Sequence, residues 1–107
     1  MKKIKDGIEL AQILESDFGV AIGNSTPDSE SEYFKRLQIA LAERIEFLIN
    51  SNVEKLFQIL YKIDVPQKYT DEAFDLGEIK KISLKIAEHV IARQLQKIDY
   101  SKKFYNK

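Results

Sequence analysis

The chain has no cysteine and a single histidine, His89. Without thiols there can be no disulfide, no thiolate nucleophile and no thiolate metal site, and such a composition fits a reducing compartment, so a cytoplasmic location is expected. A metal centre would have to combine His89 with carboxylates. The Glu-x-x-His spacing of carboxylate-bridged helical sites fails, because Ile86 stands three residues before the histidine. Only four glycines are present, with no Gly-rich phosphate loop and no Gly-x-Ser-x-Gly turn. Seventeen basic side chains against seventeen acidic ones leave no net charge, so no global field recruits nucleic acid or anionic lipid. The opening MKKIKDGIEL is basic, but Asp6 and Glu9 interrupt it before any apolar run long enough for a signal peptide or a membrane span. Nowhere do β-branched residues alternate between turn pairs as a strand requires. These absences point to no catalytic residue, cofactor, metal or membrane segment, and the chain is expected not to be an enzyme.

What is present is helical periodicity. The apolar faces of Val53 to Ile63 and of Ile79 to Ile98 each cover roughly 200° of a helix, about twice the stripe a surface helix needs, so both must be covered on more than one side. At 107 residues the chain fits one domain, with a radius of gyration of about 13 Å if compact and monomeric. Ile4, Ile8, Ala11 and Leu14 predict a first helix over 3–16, ended near Gly19. Gly19 to Ser31 reads as a Gly/Ser-rich linker, in which Thr26 is placed to cap a second helix with Pro27 at its first position. That helix, 28–49, carries Phe34, Leu37, Leu41, Ile45 and Leu48. It stops at Asn50-Ser51-Asn52, where Ser51 and Glu54 have the spacing of a capping box for a third helix, 52–63. Here Val53, Leu56, Phe57, Leu60 and Ile63 are expected to face inward. Pro66 ends this helix, and Asp64 is placed to cap a short one over 66–74. A last helix over 78–99 is followed by a polar basic tail at 100–107. The expectation is an all-α bundle of four to five helices, its core built from the second, third and last.

Two polar residues fall inside apolar arcs. Arg44 lies between Tyr33 and Leu37 on the helical wheel, and Gln94 lies between Ser83 and Ala87. A guanidinium is too costly to bury alone, so Arg44 has to reach a carboxylate, a backbone carbonyl or solvent. Either residue is a candidate for a partner interface or for a satisfied polar group of the core. The carboxylates Asp64, Asp71, Glu72, Asp75 and Glu78 cluster around the short helix and read as caps and dipole partners of helix starts. From Arg93 to Lys107 there are five basic residues and one acid. Lys97, Lys102 and Lys103, interleaved with Tyr100, Phe104 and Tyr105, could contact phosphates and stack on bases of single-stranded nucleic acid, or simply form a solvated helix end.

The block Leu60-Tyr61-Lys62-Ile63-Asp64-Val65, followed by Ile91-Ala92-Arg93-Gln94-Leu95-Gln96-Lys97, resembles a group of short uncharacterised bacterial helical proteins. The resemblance covers roughly residues 40–100 and leaves the first helix and its linker outside. It implies a bacterial helical domain and carries over no activity, cofactor or residue role.

The function this reading favours is a helical protein-interaction module, self-associating as a homodimer. Three helices with such wide apolar arcs leave surface that one another and two short helices do not cover. The alternative is a nucleic-acid-associated accessory protein using the basic aromatic C-terminal segment.

Overall fold

A computed structural model describes residues 4–20 and 30–105. They form five helices, α1 (Ile4–Phe18), α2 (Glu30–Ser51), α3 (Val53–Lys62), α4 (Gln67–Phe74) and α5 (Ile79–Tyr105). The chain is an all-α bundle, with no strand among the described residues. Thr26 and Pro27, the expected start of the second helix, lie outside the described residues. None of the helices is long and apolar enough to cross a membrane among these residues.

Local chemistry explains where the helices stop. Gly19 closes α1 at φ 71°, a conformation that costs glycine nothing, and its N–H donates to the Glu15 carbonyl at 2.9 Å. A single residue, Asn52, separates α2 from α3; its side-chain oxygen accepts from the Lys55 N–H at 3.2 Å. The cap of α3 is therefore Asn52 and not the Ser51–Glu54 box. Ser51 is the last residue of α2, and its hydroxyl donates to the Phe47 carbonyl at 2.7 Å. Gly77, at φ 80°, turns the chain between α4 and α5. Nothing from Glu78 onward is glycine or proline, and α5 accordingly runs through to Tyr105 instead of ending near 99. The expected tail at 100–107 is, as far as Tyr105, a continuation of this helix.

The central pair is α2 and α5; α1 packs on both, α4 on α5, and α3 on α2. The third partner of the core is thus α1, where the sequence pointed to α3. Its buried line is Gly7, Leu10, Leu14 and Phe18; of the expected series Leu14 lies on this line and Ala11 packs against the core, while Ile8 is 51% exposed. Gly7 makes this register possible. A Cβ there would stand 2.7 Å from the Tyr33 ring, so only glycine lets the α1 backbone come this close to α2.

The buried residues of α5 run from Ile82 to Ile98 and at 100° per residue sweep about 220° of the helix. All of that arc is covered within one copy, so the width of α5 leaves no demand for a partner. On α3 only Leu56 and Leu60 are buried, with Ile63 just past its end. Phe57, expected inside, is 44% exposed, and Tyr61 is 86% exposed. With α1 against the central pair, α3 is left on α2 with one apolar flank uncovered. Apolar surface is left uncovered on α3, at Phe57 and Tyr61, and also on α2, at Ile39 and Phe47.

Candidate functional site: the groove between α3 and α4

The turn after α3 is set by Ile63-Asp64-Val65-Pro66. The Val65 N–H donates to the Leu60 carbonyl at 3.0 Å and the Asp64 N–H to the Tyr61 carbonyl at 3.1 Å. This is the Schellman pattern, in which the residue after the helix takes a left-handed conformation, usually as glycine. Here Asp64 takes it, at φ 64°. Val65 is buried, and Pro66 prevents the helix from resuming. Arg93 of α5 holds the corner: its Nε donates to the Ile63 carbonyl at 3.3 Å, its Nη1 to Gln96 Oε1 at 2.9 Å, and its Nη2 lies 3.8 Å from the Asp64 carboxylate. Asp64 does not cap α4, whose N-cap is Pro66 with no side-chain hydrogen bond; left-handed geometry past the end of α3 commits its backbone elsewhere. Replacing Asp64 by glycine is expected to raise stability by about 0.5 to 1 kcal/mol, because it relieves a left-handed non-glycine residue and removes only a solvent-exposed ion pair. A chemical denaturation curve shifted to lower midpoint would instead mean that the Arg93 contact outweighs the backbone strain.

Between α3 and α4 this corner opens a groove of about 850 Å³. Phe57, Leu60, Val65, Pro66 and Phe74 supply its apolar surface, with the Phe57 and Phe74 rings 5.8 Å apart. Asp64, Asp71 and Asp75 supply its charge, and among the described residues no lysine or arginine lines it. These carboxylates are poorly placed for folding. Asp64 follows the end of α3, Asp75 is the C-cap of α4, and Asp71 and Glu72 lie in the second half of α4, whose first turn has no acid. Negative charge at a helix C-terminus opposes the helix dipole, typically by a few tenths to about 1 kcal/mol. The helix-start explanation holds for Glu78, which precedes α5 and whose carbonyl accepts the Ile82 N–H at 2.9 Å, and fails for the others. On the far side of the corner a second cleft is bounded by Tyr69, His89, Arg93 and Asp99. His89 is half-buried and stacks on Tyr69, with ring centroids 4.5 Å apart and planes 11° from parallel. No group of three side chains able to hold a metal occurs among the described residues.

The other residues marked by the sequence lie elsewhere. Arg44 donates from Nε to the Phe18 carbonyl at 2.8 Å, and its guanidinium sits 4.9 Å from the Phe47 ring centroid. It satisfies a carbonyl at the C-terminus of α1, where a cation also suits the dipole. Gln94 is buried and donates to the Asp17 carboxylate at 3.1 Å, tying α5 to α1. Both act inside the bundle, and neither lines the groove. Lys97 is half-buried and Tyr100 is 70% exposed. Lys102, Lys103, Phe104 and Tyr105 fall on the last turns of α5, their side chains outside the described part. The groove itself was not legible as a site in the sequence. The available signal was the load of acids in the second half of α4, which became informative only once the helix boundaries were known.

Comparison with protein-family models, with curated proteins and with solved structures finds no match for this chain.

Proposed function

We propose that this chain is a non-enzymatic helical interaction module that pairs with a second copy of itself through the α3–α4 face. The observation that carries this reading is the groove: Phe57, Tyr61 and Pro66 open to water beside the buried Leu60 and Val65, bordered by Asp71 and Asp75, which the dipole of α4 disfavours. Exposed apolar surface costs solubility unless it is used, and charge placed against the dipole costs stability unless a partner offsets it. Leu76, 49% exposed beyond α4, extends the apolar surface of Phe57 and Tyr61 past the groove. Light scattering on the eluting protein at micromolar concentration is expected to give twice the 12.4 kDa mass of one chain. Tyr61→Ser should lower that mass and leave the melting temperature nearly unchanged, since a side chain so exposed adds little to the core. A single-chain mass at every concentration would contradict the reading.

A further inference from the structure

We propose that the occupant of the α3–α4 groove is the basic, aromatic C-terminal end of α5 from the second copy, and that the exchange is reciprocal. The inference rests on the self-association proposed above and names the two surfaces that meet. Charge complementarity is the first argument. Among the described residues the groove has three carboxylates and no cation along its lining; Asp64 is paired with Arg93 at the corner, while Asp71 and Asp75 stand toward the C-terminal end of α4, negative by its dipole. From Lys97 to the end the sequence holds Lys97, Lys102, Lys103 and Lys107 against a single acid, Asp99, with Tyr100, Phe104 and Tyr105 among them. An apolar cleft with an acidic rim and an aromatic segment with basic residues are matched in both chemical respects.

The second argument is reach. Arg93 fixes the level of the corner on α5, through Ile63 and Asp64. Ile82, Ile86, His89, Arg93, Lys97 and Tyr100 follow one another at spacings of four and three, so they share one stripe of α5. His89 on that stripe is covered by Tyr69 of α4, and Arg93 meets the turn. Past Arg93 the turn residues Asp64, Val65 and Pro66 share a cleft with α5 as far as Asp99. Tyr100 lies seven residues beyond Arg93, about 10 Å along the axis, and α5 stays helical to Tyr105 with no glycine or proline to turn it back. A chain therefore cannot place the end of its own α5 in its own groove. A second copy can. The groove corner sits at Arg93, midway along α5, and α4 runs back from it toward the start of α5 while the basic end extends the other way. A two-fold axis that sets each basic end on the other copy's groove closes the assembly as a dimer.

Charge reversal with rescue tests this on the full-length protein by sedimentation velocity across a micromolar concentration series. The rim variant carries Asp71→Lys and Asp75→Lys, and the tail variant carries Lys102→Glu and Lys103→Glu. Circular dichroism melts establish that each is folded. The wild-type chain is expected to sediment as a dimer, and each variant alone to dissociate at least about tenfold more readily. Mixing the two is expected to restore a dimer, because each groove then faces a tail of opposite charge. If the wild type dimerises while both variants keep wild-type affinity, or if both dissociate and mixing restores nothing, the groove–tail pairing is wrong although self-association stands. A wild-type chain that is monomeric throughout overturns both. Poly(U) that binds wild type and not the tail variant, and dissolves the dimer, would assign the basic end to nucleic acid and overturn the pairing.

Discussion

Replacing Leu41 with alanine is expected to destabilise the protein by about 2 to 5 kcal/mol, the range for truncating a fully enclosed leucine. Leu41 has no exposed surface, and the same holds for Leu37 and Ile45 one turn to either side on α2. Deleting three side-chain carbons there removes apolar burial and leaves a cavity that the central α2–α5 pair cannot easily collapse. Against a total stability of about 5 to 15 kcal/mol for a domain, the change would leave a visibly unfolded fraction near physiological temperature. Ile8→Ala is the matched control, because Ile8 is half exposed on α1 and should cost less than about 1 kcal/mol. Urea titrations of the two variants would settle the ranking. A larger loss at Ile8 than at Leu41 would mean that the bundle is assembled in a different register.

The second large effect is expected at Gly7. Its absent Cβ would lie 2.7 Å from two carbons of the Tyr33 ring and 3.4 Å from the end of Phe34. Tyr33 is itself buried, so the ring has little room to swing aside. Gly7→Val is therefore expected to cost about 1 to 3 kcal/mol through overpacking, even though valine suits a helix interior slightly better than glycine. The loss should be local in origin. Amide hydrogen exchange is expected to accelerate in α1 before it does so at the α2–α5 centre. Unchanged stability and protection in Gly7→Val would show that α1 does not approach α2 through this glycine.

Most of the helical layout was legible because its punctuation is local. Gly19 and Pro66 stop α1 and α3 by their own backbone chemistry, and the spacing of Leu37, Leu41, Ile45 and Leu48 defines the inner face of α2 without reference to anything else. What the sequence did not disclose depended on neighbours. The inner line of α1 runs through Gly7, a residue with no hydrophobic signal, and periodicity alone preferred the Ile4-Ile8 line beside it. Phe57 has the hydrophobicity of a core residue, and only the placement of α1 against the central pair leaves it half exposed. The role of Arg44 was open for the same reason, since its partner is the Phe18 carbonyl at the end of another helix. For the groove, the sequence contained all three carboxylates but assigned them to helix starts. Their meaning reversed once Asp64 and Asp75 were found at helix ends.

The central claim is that the α3–α4 face is where a second copy binds, and a dilution series followed by 15N–1H correlation spectra tests it most directly. On dilution through the dissociation range, the account predicts shifts concentrated in residues 57–75 and 97–105, with the α1–α2 interface unmoved. Spectra that do not change with concentration, or shifts confined to the exposed flank of α2 around Ile39 and Phe47, would contradict it.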